Sequence, residues 1–285
     1  MRNIRTCDNA QLNTGGSKCE IPYDKLLGAI VVPYGSKLPA TLTEDKLEEL
    51  IHADVSERVY GIRTFVEAAK NGGEVQTSAV GYGPEQVTGL SARKDTMTLD
   101  QYSIGLDAAI SKAGNRKWGV YYFDCDGFLY GINDGTDVLA PFPMNNIYSD
   151  STPFKTSSNA AQLMVTFSHE NAKKSKEQAD FIKLDFHPET LETFGLTEVL
   201  LAKTTDSGSA YKIVEKVGGY DVTGIYGPLI ATAGNTVLNG ATSAATYDES
   251  TNTLTIATTG STVVSFKAPK VLYQNNIKGI VQVSA

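Results

Sequence analysis

The residues best suited to chemistry form an acidic stretch near the middle of the chain. Asp124 and Asp126 flank Cys125, and three more oxygen-bearing side chains follow: Asn133, Asp134 and Asp137. Calcium needs several oxygen ligands at alternating positions of a loop, so this is the best metal candidate in the sequence. An EF-hand that starts at Asp124 fails, because Phe128 and Leu129 stand where an oxygen donor and a glycine are needed. A hairpin turn followed by a polar loop explains the stretch better, and ion binding at Asp124 and Asp126 stays open.

The histidines offer weaker signals. His169 with Glu170 resembles half of a zincin signature, but Lys173 stands where the second histidine would be needed. His187 precedes a proline at the end of a strand. Neither histidine has a partner that the sequence identifies. We expect surface or hydrogen-bonded polar residues here, not catalytic bases.

Cysteines and glycine-rich stretches add no chemical signature. Cys7, Cys19 and Cys125 are too few for a disulfide scaffold or a zinc site and are interpreted as reduced thiols. Cys125 with a distant histidine could form a thiol pair in principle, but its hairpin context favours a packed residue. The sequence Gly-Gly-Ser-Lys at residues 15–18 lacks the first glycine of a phosphate loop. Residues 81–85 lack the third glycine of a dinucleotide fingerprint.

These patterns predict no catalytic residue, no cofactor and no metal site, and so a protein that is not an enzyme. The strongest enzymatic alternative places Asp124, Asp126 and Asp134 as paired carboxylates around a metal. Activity lost in Asp126→Ala would establish it.

Composition supports a folded, β-leaning protein. The chain has 285 residues, 41% of them hydrophobic and 20% charged, with 26 glycines and 14 tyrosines. The formal net charge of −7 argues against a protein that grips nucleic acid, which needs a basic surface. Ordinary bacterial-type acidity explains this charge best; it would also suit a protein that must stay soluble at high concentration, or one that lines a channel through which DNA slides without sticking. There is no apolar run of signal-peptide or membrane length, so we expect synthesis in the cytoplasm and no membrane partner.

The elements that must position these residues are mostly strands. The pattern predicts a strand over residues 26–34, a helix over 43–54, and a hairpin of residues 59–68 with 74–82 around Asn-Gly-Gly. A strand over 95–100 and a helix over 101–112 follow. Residues 118–132 predict two strands joined at Asp126-Gly127. Strands over 162–168 and 181–186 are separated by a charged loop, and residues 191–201 fit a strand or a short helix.

Four segments make up the predicted domain organisation. Residues 1–20 form a polar N-terminal arm, residues 21–203 a β domain and residues 204–210 a flexible linker. Residues 211–285 are Thr/Val/Gly-rich, show short alternating strands and no convincing helix, and predict an immunoglobulin-like β-sandwich. Aromatic residues lie on both faces of the 118–132 hairpin, so we expect one face to pack against either another layer of the same chain or another subunit.

The order of elements resembles that of tail-tube-like and ring proteins of phages infecting Bacteroidota, including crAss-like phages. The resemblance covers roughly residues 20–200. It is carried by the strand at 95–100, the helix that follows it, the hairpin at 118–131 and the strand at 162–168. It implies a β-sandwich or split barrel with one flanking helix, whose open edges and long hairpins join copies into a ring around a DNA channel. The helix predicted within residues 20–70 is more than a minimal tube subunit needs.

The function expected from the sequence is therefore structural. We expect a virion protein of a phage tail tube or head-to-tail ring that forms a hexameric or dodecameric ring with itself. Other tail or portal proteins would be its neighbours, and the genome would pass through its lumen without specific binding. The alternative is a bacterial surface adhesin or carbohydrate-binding module, motivated by the Tyr-rich strands and the C-terminal sandwich.

Overall fold

A computed structural model describes residues 24–79, 81–150, 155, 157, 160–205, 209–259 and 262–284. The predicted N-terminal arm, Cys7, Cys19 and the Gly-Gly-Ser-Lys stretch lie outside the described residues. By its contacts the chain divides into two compact units. One comprises residues 1–47 and 59–192, and the other comprises residues 48–58 and 193–285. The mainly β fold with a flanking helix that the sequence predicts is confirmed.

The first unit is built on strands of one sheet, a separate two-stranded ribbon and short helices. In chain order its elements, with α1 crossing into residues of the second unit, are β1 (Leu26–Pro33), α1 (Glu44–Ile51), β2 (Tyr60–Arg63), β3 (Phe65–Asn71), β4 (Val75–Ser78), β5 (Gln86–Leu90), β6 (Lys94–Leu99), α2 (Ile104–Ala113), β7 (Trp118–Asp124), β8 (Phe128–Ile132), β9 (Phe142–Asp150), β10 (Met164–His169), α3 (Ala172–Glu177) and β11 (Ala179–Lys183).

The strands of the first unit form a split barrel. Along the sheet the order is β11-β8-β7-β9-β10-β6-β3, and β1 joins β7 to β2. Only Thr64, with a positive φ of 68°, separates β2 from β3, so these two strands form one bent segment. Its β3 half pairs with β6, and its β2 half pairs with β1, which in turn pairs with β7. Alternate side chains of these strands fill the interior, including Val31, Val120, Met144 and Phe167. The bent β2–β3 segment thus connects the two ends of the strand order, but among the described strands β3 pairs only with β6, so the barrel is split; β8 and β11 continue the sheet beyond β7.

Helix α2 is the flanking helix. Ser103 caps its start by accepting a hydrogen bond from the Leu106 amide at 3.3 Å, and α2 lies against β9. Leu106 and Ile110 add to the barrel core. The predicted helix over 101–112 is thus present, beginning three residues later than the pattern indicates.

The predicted hairpin around Asn71-Gly-Gly is wrong. Strand β3 pairs with β6, and β4 pairs with β5. Gly72 and Gly73 have φ values of 73° and 71° and interrupt one long two-stranded extension, whose last strand pair joins Ser78 to Gln86. A Cβ on Gly72 would lie 2.0 Å from the Ala92 carbonyl oxygen, so the two segments of the extension approach too closely there for any residue larger than glycine.

The second unit has a mixed sheet and helices. Its elements are β12 (Thr197–Lys203), β13 (Ala210–Glu215), α4 (Thr223–Ala233), β14 (Leu238–Asn239), β15 (Thr246–Asp248), β16 (Thr253–Thr255), β17 (Ser265–Phe266), α5 (Pro269–Gln274) and β18 (Ile280–Gln282). The five-stranded sheet has the order β15-β16-β13-β12-β18, with β12 and β18 parallel, and α4 lies on it.

Two expectations for the C-terminal part are corrected by the described residues. Helix α4 is present where the sequence indicated none. This helix lies against the five-stranded sheet, and β14 pairs with β17 in a separate two-stranded antiparallel sheet, so the immunoglobulin-like sandwich is not confirmed. The predicted linker at 204–210 instead connects β12 to its antiparallel neighbour β13, so the boundary lies near residue 193. Because β12 pairs with β13 on one side and with β18 on the other, it belongs to the second unit.

Candidate functional site

Asp124, the first residue of the acidic stretch, has a structural role. Its side chain is buried, and it accepts hydrogen bonds from the backbone amides of Asp126 at 3.0 Å and Phe128 at 2.9 Å and from the Tyr130 hydroxyl. The carboxylate therefore holds the β7–β8 turn together. This confirms the hairpin, with Gly127 at a φ of 77° in its turn.

The predicted carboxylate trio is not brought together. Asp134 pairs with Lys37, with its Oδ2 2.5 Å from the Lys37 Nζ, and it also accepts from Thr136. Burial acts to raise the pKa of Asp134, but the hydrogen bonds from Lys37 and Thr136, together with the charge of Lys37, outweigh it, and the pKa lies below the usual value. Asp124 and Asp134 thus serve separate local contacts.

Asp24, Cys125 and Asp126 do lie within 4.8 Å of one another, as measured between their potential ligand atoms. Partial burial, followed by the carboxylates of Asp24 and Asp126, raises the pKa of the Cys125 thiol. A protonated thiol is a poor nucleophile and a poor metal ligand. The raised pKa therefore gives no support for thiol nucleophilic chemistry, and exposed carboxylates beside a thiol are not by themselves a metal site.

His169, whose partners the sequence could not identify, lies in a buried polar network. Its Nε2 is 2.7 Å from the Asp95 Oδ2 and its Nδ1 is 2.9 Å from the Ser175 Oγ. Arg93 donates two hydrogen bonds to the Asp95 carboxylate, at 2.9 and 2.8 Å. The hydroxyl of Tyr122 approaches the same carboxylate at 3.5 Å. We call Arg93, Asp95, His169 and Ser175 the polar network.

The electrostatics of the polar network favour a charged Asp95. Burial acts to raise the pKa of this carboxyl, but hydrogen bonds from His169 and Arg93 outweigh it and hold the pKa below the usual value. Burial and the negative Asp95 raise the pKa of Tyr122 well above its usual value. Asp95 is therefore an ionised carboxylate whose charge is balanced by Arg93 beside it.

An aspartate, a histidine and a serine in contact could in principle activate the serine hydroxyl for attack. Ser175, however, is only 1% exposed and the side chain of His169 is fully buried. A substrate carbonyl has no access to the hydroxyl. The polar network is therefore interpreted as structural.

The other histidines also have satisfied structural roles. In the second unit His52 is fully buried; its Nδ1 is 2.8 Å from the Glu48 carbonyl oxygen, and its Nε2 accepts from the Gly279 amide at 3.0 Å. Tyr273 stacks on its ring at 4.6 Å between centroids. Burial lowers the pKa of His52, which favours the neutral ring that these bonds need. His187 is exposed and its carbonyl accepts from the Thr190 hydroxyl.

The aromatic hairpin is covered within its own unit. Tyr122 faces the barrel core, while Tyr121 and Phe123 on the opposite face are also fully buried. The hydroxyl of Tyr121 donates to the Leu139 carbonyl at 2.9 Å and accepts from the Leu38 amide at 3.2 Å. Of the two expectations for this hairpin, the internal layer of the same chain is the correct one.

The described surface instead presents a different candidate for interaction, the β4–β5 ribbon with its tip, residues 72–92, which we call the ribbon arm. Within the described part of the chain, β4 and β5 pair only with each other. Every residue of β4 is exposed. Large apolar side chains stand in solvent, with exposed fractions of 53% for Val75, 111% for Tyr82 and 70% for Val87. A soluble monomer gains nothing from such side chains on a projecting ribbon.

No protein-family model matches the chain, and no curated protein does. Among solved structures, the chain is similar to a chain in the cryo-EM structure of the anti-feeding prophage baseplate, six-fold symmetrised. The alignment covers 59% of this chain and 99% of that chain, at 6% identity and a TM-score of 0.26. A TM-score this low does not establish a shared fold, and the functional proposal rests on the geometry of the chain. In the described residues, no helix has the length and apolar character needed to cross a bilayer.

Proposed function

We propose that this chain is a non-enzymatic structural subunit that assembles with copies of itself. The observation that carries the proposal is the ribbon arm. A two-stranded ribbon is at best marginally stable alone in water, because it buries too little apolar surface to offset the entropy of ordering its backbone. Contact with another copy would bury Val75, Tyr82 and Val87 and give the ribbon the layer that it lacks.

Open sheet edges supply a second means of association. The sheet of the first unit ends at β11 on one side and at β3 on the other, and beyond Phe65 the whole of β3 is exposed. Unpaired backbone groups at an edge form a hydrogen-bonding template for another strand. Two different edges on one chain favour head-to-tail contacts, which close into a ring when the rotation between copies allows it.

The particular role that we propose is a virion subunit of a phage tail tube or head-to-tail ring. The split barrel with its flanking helix α2 agrees with what the tail-tube resemblance implies. The net charge of −7 suits a wall along which DNA passes without binding. A closed ring of six or twelve copies, in contact with other tail or portal proteins, completes the proposal.

The test is the mass of the purified protein, measured by light scattering over a concentration series. We expect multiples of 30.6 kDa that correspond to a closed ring, with rings visible by electron microscopy. The double variant Val75→Glu with Val87→Glu places charge on the ribbon arm at exposed positions and should abolish assembly with little loss of stability.

The matched control is the double variant Val55→Glu with Val263→Glu in the second unit, where the two valines are 68% and 83% exposed. It adds the same two charges at other exposed apolar sites and should leave the assembly intact. A strict monomer at every concentration would contradict self-assembly and favour a binding module. Equal loss of assembly in both variants would show that the ribbon arm has no special role.

A further inference from the structure

We propose that the polar network fixes the direction in which the ribbon arm leaves the barrel, with Arg93 and Ser175 acting as positioning residues. The inference rests on the proposed function for its purpose, because an arm that joins copies in a ring must meet its neighbour at one angle. The polar network and the ribbon arm both belong to the first unit.

The ribbon arm needs such a device because its backbone is weakest at its root. The β3–β6 pairing ends at Asn71 and Lys94, and the β4–β5 pairing starts only at Val75 and Leu90. Between them lie Gly72, Gly73 and Glu74 on one segment and residues 91–93 on the other; the Ser91 amide donates to the Glu74 carbonyl at 2.9 Å, and the Glu74 amide donates to the Ser91 hydroxyl at 3.0 Å. Glycine has the greatest backbone freedom, so the strand pairing leaves a hinge at Gly72 and Gly73 and the residues opposite them.

One anchor of the polar network lies in that hinge. Arg93 precedes β6 directly, and its guanidinium binds the Asp95 carboxylate with two parallel hydrogen bonds. Its carbonyl oxygen also accepts from the His169 amide at 3.0 Å. A two-point guanidinium–carboxylate contact fixes orientation as well as distance. The segment that leads from β5 of the ribbon arm back to β6 is thereby held to the barrel wall.

The second anchor reaches the ribbon arm through α3. Ser175 lies in the middle of α3, and its hydroxyl contacts the ring of His169. This helix lies beside β5. Asn171 caps its start by accepting from the Lys174 amide at 2.9 Å. Helix α3 has only six residues and would not be stable alone, so it depends on contacts such as that between Ser175 and His169 to keep its place beside β5.

The middle of the polar network belongs to the rigid barrel. Asp95 lies in β6 and His169 ends β10, two neighbouring strands of the wall. Glu170, the next residue, accepts from Lys117 at 2.6 Å and from Tyr34 at 2.8 Å, which fixes the start of the turn into α3. Both anchors therefore fix the root of the ribbon arm relative to the barrel wall.

The experiment measures the direction of the ribbon arm in the full chain. Spin labels are placed at Val87→Cys on the ribbon arm and Asn145→Cys on the exposed outer side of β9, after replacement of the three native cysteines by serine. Pulsed electron resonance then gives the distribution of distances between the labels. Labelled chains are diluted with unlabelled ones, so that only distances within one chain are read.

In Ser175→Ala and in Arg93→Gln we expect the distance distribution to broaden by about twofold, because a local opening becomes accessible at the hinge. The control is Thr166→Val, which removes the 3.1 Å contact between the Thr166 and Thr96 hydroxyls on the same two strands. It should leave the width unchanged. Near-ultraviolet circular dichroism verifies that each variant keeps its barrel.

A width that stays unchanged in Ser175→Ala and Arg93→Gln would overturn the inference, even if the melting temperature falls, since the polar network would then stabilise the barrel alone. Equal broadening in Thr166→Val would overturn it too. The measurement is made within single chains, so its failure leaves self-assembly untouched. Conversely, a monomeric wild-type protein with the expected broadening would contradict only the proposed function.

Discussion

The barrel and the ribbon arm are made from the same kind of strand pairing but differ in what their side chains contact. In the barrel, alternate residues of β6, β9 and β10 enter one core, and Phe167 and Met144 are fully buried. In the ribbon arm, apolar Val75 and Val87 project into solvent. Hydrogen-bonded pairing is common to both, so burial is what separates a self-sufficient structure from one that needs a partner.

The largest expected effect on stability comes from the barrel core. Phe167→Ala should lower the free energy of unfolding by about 3–5 kcal/mol, since it removes a buried ring that contacts Phe65 and Tyr122 and leaves a cavity. Val87→Ala on the ribbon arm should change it by less than about 0.5 kcal/mol. Urea unfolding of the two variants measures both values. Similar losses would contradict the division between barrel and ribbon arm.

A smaller effect is expected at the β7–β8 turn. Asp124→Ala leaves the buried Tyr130 hydroxyl and two turn amides without their acceptor, so the free energy of unfolding should fall by about 1–3 kcal/mol. Asp126→Ala, two residues away and exposed, is the matched control and should have little effect. If Asp126→Ala proved the more damaging, a role in ion binding would return to consideration.

Acid should weaken the barrel through Asp95. Its folded pKa lies below the ordinary value of 3.8, so the unfolded chain takes up the proton first as the pH falls. The stability that this carboxylate contributes is present above that value and is lost as the pH falls through the folded pKa. The wild-type protein should therefore lose unfolding free energy when the pH is lowered from about 6 to about 3, and Asp95→Asn should lose less of it over the same range, as measured by urea unfolding at the two pH values. An equal loss in both proteins would show that other carboxyls cause the acid sensitivity.

Local signals in the sequence were sufficient for part of the fold. Asp126-Gly127 marked the hairpin correctly, because the glycine supplies the positive φ that the turn requires. Helix α2 could be predicted from its spacing of apolar residues. Gly72 and Gly73 were misread as a hairpin tip, since positive-φ glycines mark a kink as readily as a turn. Only the pairing of β3 with the distant β6 distinguishes the two.

The remaining differences depend on contacts far apart in sequence. Helix α4 contains Gly224, Gly227 and Pro228, which weaken any local helix signal. Its stabilising contacts come from the sheet: Tyr247 of β15 packs against Gly227, where a Cβ would lie 2.6 Å from the ring. The polar network was invisible for the same reason: Asp95 and His169 are separated by 74 positions. No motif spacing connects them.

The most direct test of self-assembly through the ribbon arm is hydrogen exchange of residues 75–90 at low and high protein concentration, with the mass measured in parallel. Because β4 and β5 are exposed in the single chain, their amides should exchange rapidly at low concentration and become protected as the mass rises. The barrel strands should be protected throughout. A mass that rises while the ribbon arm remains unprotected would contradict the account, because copies would then join through another surface.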